Sequence, residues 1–184
     1  MKTKEFSPEL VGRYDVPKIP GVKFKKLDKQ HLIGFNYCTK PENMVDREDE
    51  LVHFYLPDQY TTMPRAMRIW NYYRNMWLAS YMNSLGIRVV PSAQWSDEES
   101  FEYCFDGMPE GSCVCVSTVG CMQNPSARML FNRGFSEMLK RLKPSQLILY
   151  GVIDDDIRQR VRGIPYVHQE SEMKVRIDKY RAGL

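Results

Sequence analysis

Short, continuous apolar runs, each followed by a helix-starting signal, constrain this chain more than any other feature. "GIRVVPSAQW", "SCVCV" and "SQLILYG" are three such runs. Their apolar residues do not alternate with polar ones, as they would in a strand with one wet face. Strands buried on both faces belong to mostly parallel sheets covered by helices. "HLIGFNYC" and "ELVHFYLPD" are earlier strand candidates, the second stopped by Pro57, and "GIPYVHQ" is a later one.

Helical patterns fill the gaps. Residues 64–85 form the clearest helix, with Pro64 suited to a first turn and Gly86 to a stop. Its apolar face is read through Ala66, Ile69, Trp70, Tyr73 and Trp77, with Arg68, Asn71 and Asn75 on a polar face. "SDEES" opens another helix, where Ser96 and Glu99 have capping-box spacing. Asn124 followed by Pro125 starts a helix over residues 126–142. A short helix near residues 154–161 and a last one over residues 170–181 complete the pattern.

The expected fold is therefore α/β. It has a mostly parallel sheet of five or six βα units, as an open sheet or an incomplete TIM-like barrel. A complete barrel takes about 250 residues, and this chain has 184. Ile33, Val52, Val89, Val114 and Ile148 are expected on adjacent strands. Residues 1–28 carry Pro8, Pro17 and Pro20 among lysines and read as an extended N-terminal arm. Residues 29–184 read as a single α/β domain.

In such folds ligands meet the carboxyl ends of the strands. That rule selects Asn36 and Tyr37, then Asp58 and Gln59, then Gln94, Trp95, Ser96 and Asp97. It goes on to Ser117, Thr118 and Gly120, and to Tyr150 and Gly151. Asp58 and Asp97 are the candidate catalytic carboxylates, as general acid and base. Helix capping is the competing role for both. Asn36, Gln59, Trp95, Ser96, Ser117, Thr118, Gly120 and Tyr150 are the candidate ligand-binding residues. One cleft lined by Asp58, Trp95, Asp97, Ser117, Thr118 and Tyr150 is the expectation.

The loop "STVG" sits before a helix, where backbone N–H groups can cradle a phosphate. It matches neither established phosphate-binding glycine pattern, and several residues separate Gly120 from Asn124. Trp70, Tyr72, Tyr73 and Trp77 resemble a stacking platform for bases. At helical spacing, core packing is the preferred role of Trp70, Tyr73 and Trp77. No nucleophile elbow or zinc-protease pattern occurs. The three histidines, His31, His53 and His168, avoid the predicted strand ends.

The five cysteines are Cys38, Cys104, Cys113, Cys115 and Cys121. An odd number in a chain of this size fits reduced thiols and a cytoplasmic setting. Cys113 and Cys115 share a strand face, but no zinc spacing accompanies them, so no metal is expected. No apolar run approaches the roughly 20 residues of a membrane span, and no signal peptide is visible, so no membrane partner is expected. The net charge of +3 is modest, with lysines and arginines crowded toward both ends.

The blocks "GIRVVPSAQWSDEESFEYCFDG", "VSTVG" and "LILYG" resemble the domain-of-unknown-function family numbered 4417. The resemblance covers roughly residues 51–151. It implies a setting in phages, plasmids and their bacterial hosts. It carries over no activity, cofactor or catalytic residue. Three readings stay open. The first is a phage or mobile-element accessory protein that binds a host protein, a small nucleotide-like ligand or nucleic acid, in counter-defence or host takeover. The second is a hydrolase-type enzyme acting on a nucleoside, nucleotide or sugar through Asp58 and Asp97. The third is a nucleic-acid binder using the basic termini. An exposed apolar patch favours the first, an inward-facing pair of aspartates the second, and a contiguous basic stripe the third.

Overall fold

The structure is a computed structural model, and it describes residues 6–26, 52–53 and 63–182. The strand candidate at residues 31–38, with Ile33, Asn36 and Tyr37, lies outside the described residues, as do Asp58 and Gln59.

A four-stranded parallel sheet organises the chain. Its order is β5 (Ser92–Ala93), β6 (Cys113–Ser117), β7 (Gln146–Tyr150) and β8 (Tyr166–Gln169). Every neighbouring pair is parallel, with Ser92 beside Cys115, Val114 beside Leu147 and Ile148 beside Val167. The spatial order follows the chain order, and β5 does not pair with β8. A separate parallel pair joins β3 (Val52–His53) to β4 (Val89–Val90). A small antiparallel pair joins β1 (Leu10–Val11) to β2 (Val16–Pro17). Strand-like backbone runs from Val89 to Ala93, but Pro91 splits it because proline brings no N–H to a ladder. The Pro91 carbonyl still accepts the Cys115 N–H at 2.8 Å, so β4 continues into β5 beside β6.

The helices are α1 (Arg65–Ser84), a 3₁₀ helix (Glu98–Glu102), α2 (Pro125–Leu142), α3 (Asp155–Arg160) and α4 (Glu172–Arg181). Alternation along the strands separates two faces. Val114, Val116, Leu147 and Leu149 join one cluster with Tyr72 and Met76 of α1, Phe131 and Phe135 of α2, and Ile157 of α3. Cys113, Cys115 and Ile148 point the other way, with Val90, and Phe24 and Tyr150 pack against them. Burial pushes the Cys104 and Cys115 thiols up, and Cys113 to about 12. Desolvation of the thiolate is the largest cause in each, so these cysteines behave as packing groups.

The first described segment is tied into this core. Val16 and Ile19 are fully buried in the helix-side cluster. The Ile19 N–H donates to the Gly107 carbonyl at 3.0 Å, and the Cys113 N–H donates to Val22 at 2.7 Å. Gln146 clamps Phe24, accepting its N–H at 2.7 Å and donating to its carbonyl at 2.8 Å.

Two helix readings need correction. In α1 the buried residues are Arg68, Asn71, Tyr72, Asn75, Met76, Ala79, Ser80 and Met82, so the expected polar stripe faces inward. Trp70 and Trp77, expected inside, are 57% and 39% exposed. Tyr72, Met76, Ala79 and Met82 form the denser stripe against the sheet, and the polar residues beside them are carried in. The second correction concerns "SDEES". The 3₁₀ helix is capped by Asp97, whose carboxylate accepts the Ser100 N–H, and not by Ser96. The start of α2 follows expectation: Asn124 accepts the N–H groups of Ser126 and Ala127 at 2.9 and 3.3 Å.

One close approach tests this packing. A Cβ on Gly134 of α2 would lie 2.1 Å from Trp95 Nε1 and 2.2 Å from its Cδ1. Gly134→Ala is therefore expected to destabilise the protein by about 1–3 kcal/mol through overpacking, measured by urea unfolding. Unchanged stability would show that this helix–ring contact is not formed.

Candidate functional site

The carboxyl ends of the strands carry two distinct polar groupings. The first is built on Arg68, in the first turn of α1 and only 5% exposed. Its Nη1 donates to Ser96 Oγ and to Asp97 Oδ2, each at 2.7 Å, and its Nη2 lies 3.6 Å from Glu99. Asp97 holds the guanidinium with one oxygen and caps the 3₁₀ helix with the other. Ser96 is buried, with its N–H donated to Ser100 Oγ at 3.1 Å. The chemistry of this cluster is that of a paired, hydrogen-bonded anion that joins α1 to the end of β5.

The polar stripe continues inward. Arg68 Nε, Asn75 Oδ1 and Ser92 Oγ are buried without a hydrogen-bond partner. Asn75, Ser92 and Gln94 line a small cavity of about 10 Å³, closed on its other sides by groups such as Ile19 and Tyr72. That is about the room one water requires, and far below a nucleotide's.

The second grouping is the turn "STVG". The Thr118 N–H donates to the Tyr150 carbonyl at 2.9 Å, and its hydroxyl to Val152 at 2.7 Å. Ser117 Oγ accepts the Val119 N–H at 3.2 Å. The Cys121 N–H closes the turn on the Thr118 carbonyl at 3.1 Å. Gly120 takes φ +79°, with open space around its Cβ position. These bonds fasten the end of β6 to the loop after β7.

Ser96 and Asp97 thus come together around Arg68, and Ser117 and Thr118 meet the backbone of Tyr150. Trp95 lies on the helix side. Its Nε1 donates to the Leu130 carbonyl at 3.2 Å, and its ring packs 5.6 Å from Phe131. The Tyr150 side chain packs on the opposite sheet face, beside Cys113 and Cys115. Arg68 is the functional-looking residue that sequence reasoning placed on the wrong side. Its signal was the spacing of Arg68, Asn71 and Asn75, in step with Tyr72, Met76 and Ala79.

The outer face of α1 forms a different kind of surface. Trp70 stacks on Tyr73 with centroids 5.8 Å apart and planes at 10°. Trp77 stacks on Tyr81 at 5.5 Å and 13°. The Arg74 guanidinium lies 5.9 Å from the centre of the Trp70 ring, and Phe6 meets Trp77 edge-on at 5.4 Å. Met67, 50% exposed, extends this face toward the start of the helix.

Two substitutions separate the roles of the strand-end groupings. Arg68→Ala leaves Asp97 without its cation and is expected to cost about 2–4 kcal/mol, with Arg68→Lys recovering only part of it for want of the guanidinium fork. A loss below 1 kcal/mol in chemical denaturation would contradict a structural ion pair. Gly120→Ala is expected to cost about 1 kcal/mol, from the positive φ alone. A larger loss would reveal a contact at that position.

No helix among the described residues is long and apolar enough to cross a membrane. No solved structure matches the chain. It is 31% identical over 175 residues to the Gene 1 protein of Mycobacterium phage L5, covering 90% of this chain and 76% of that protein. It is 37% identical over 115 residues to the Gene 1 protein of Mycobacterium phage D29, covering 61% of this chain and 43% of that one. Residues 24–167 match the family described as "Domain of unknown function (DUF4417)". The chain therefore belongs to the DUF4417 family, and the relatives it matches are phage proteins.

Proposed function

We propose that this chain is a phage-associated binding protein that docks a host protein through the outer face of α1. The exposed aromatic stripe carries this reading. A helix of 20 residues turns its arginine–asparagine stripe inward and leaves Trp70 and Trp77 in solvent. Tryptophan, tyrosine, methionine and arginine are the residues enriched in interface cores, while lysine and carboxylates are depleted. The sequence of α1 holds no Lys, Asp or Glu. The stacked pairs Trp70–Tyr73 and Trp77–Tyr81 order the rings before any partner arrives, which lowers the entropy lost on docking.

Charge narrows the partner. Arg74 lies within the stripe, and Arg65 stands at its start with Glu102 and Tyr14 as its partners. Pairing with a second copy across a two-fold axis would set arginine-bearing faces against each other. An apolar groove bordered by carboxylates is the complementary surface. In this reading the protein acts in the cytoplasm of the bacterial host, without turnover, cofactor or metal.

The test uses a photo-crosslinking residue at position 70 or 77, with position 140 on α2 as control, in the natural host. The expected result is one host protein crosslinked from 70 and 77 but not from 140. That protein is then purified, and Trp70→Ser is expected to weaken its binding about 30-fold, the scale of an interface hot spot, while thermal unfolding is unchanged. Crosslinking of the chain to itself or to nucleic acid overturns the reading, as does unchanged affinity in Trp70→Ser.

A further inference from the structure

We infer that the groove between α2 and α3 is a track for the phosphodiester backbone of a single-stranded nucleic acid. This inference is independent of the reading of α1.

The groove has a volume of about 480 Å³. Its floor is the exposed line of α2 from Pro125 through Met129 and Asn132 to Ser136, positions that share one helix face at spacings of three and four. At 1.5 Å per residue that floor is about 16 Å long, enough for two or three phosphates of an extended strand. Arg128 and Arg133 flank it on opposite sides, and Arg160 reaches in from α3. Among the described residues no carboxylate lines the groove.

Each guanidinium has a carboxylate partner. Arg128 pairs with Asp154, the cap of α3, and Arg133 Nη1 pairs with Glu98 at 2.6 Å. Arg160 Nη1 donates to the Asn132 carbonyl at 3.1 Å and to Ser136 Oγ at 3.0 Å, and its Nη2 pairs with Asp156 at 2.9 Å. A guanidinium has five N–H donors. Arg128 and Arg133 each use a single nitrogen on their carboxylates, so most of each fork has no acceptor among the described residues. Forks with donors to spare suit the phosphate group, whose oxygens accept in pairs. The groove begins at the amino end of an 18-residue helix, where the backbone dipole also favours an anion. Met129, half exposed on the floor, offers an apolar contact for a base or sugar. The groove is open along its length, which fits a strand passing through better than an enclosed small molecule.

The carboxylate partners neutralise part of the arginine charge, so the expected binding is weak, with a modest salt dependence. The probes are labelled twelve-residue thymidine DNA and uridine RNA strands, followed by fluorescence anisotropy between 50 and 200 mM salt. About 0.7 counterions are released per phosphate neutralised on a single strand. Three contacts therefore predict a log–log salt slope of about −2, or roughly a 16-fold loss over that range. Arg133→Gln, which removes only an exposed ion pair, is expected to bring the slope to about −1.4 with an unchanged unfolding temperature. If Arg133→Gln proves unstable, Ser136→Glu tests the same point by placing a carboxylate on the floor, and binding should be lost. The inference is overturned if neither strand binds at 50 mM salt, or if both variants bind as the parent does. Equal competition by polyglutamate of matching charge would also overturn it, since that would mark a general attraction for polyanions.

Discussion

A single buried guanidinium fixes how this protein presents itself. Arg68 cannot be left alone in a low-dielectric interior, and Ser96 and Asp97 are the groups that meet it. Because Asp97 also caps the 3₁₀ helix, one carboxylate locks the rotation of α1 to the end of β5. Once that rotation is set, Tyr72, Met76, Ala79 and Met82 fill the core, and Trp70 and Trp77 have nowhere to go but outward. The aromatic face of α1 is thus the counterpart of a polar interior.

The parallel sheet and the placement of the helices were legible because they rest on local signals. Asn124 and Pro125 announce α2, and the unbroken apolar runs at residues 113–117 and 146–150 announce β6 and β7. The rotation of α1 was not legible, because hydrophobic periodicity ranks residues by type alone. Ile69, Trp70, Tyr73 and Trp77 form a convincing apolar stripe, yet Arg68 finds its counter-charge 29 positions along the chain. Partners that distant leave no mark in a window of one helix. Of the candidate site, the position of Asp97 at a strand end was readable, and its engagement with Arg68 was not. Among the described residues there are a four-stranded parallel sheet and a separate β3–β4 pair, and these do not reach the expected five or six βα units or a TIM-like barrel.

Side-chain bonds tie two of the strand ends to neighbouring segments. The turn after β6 is bonded through Thr118 to the segment following β7, and Arg68 and Asp97 hold the segment following β5. The outer face of α1 exposes Trp70 and Trp77, and that of α2 carries Arg128 and Arg133, which pair with Asp154 and Glu98. The same scaffold thus carries two unlike surfaces, one aromatic and one rich in arginine.

The region matched by the family begins at residue 24, whereas Val16 and Ile19 lie in the hydrophobic core and Gly107 holds Ile19 by its backbone. The limit of the family match is therefore not the limit of the folding unit. The segment before residue 24 acts as a plug for a cavity that the shared part creates between α1 and the chain around Gly107. A fragment cut at the family boundary would be born with that cavity open to water.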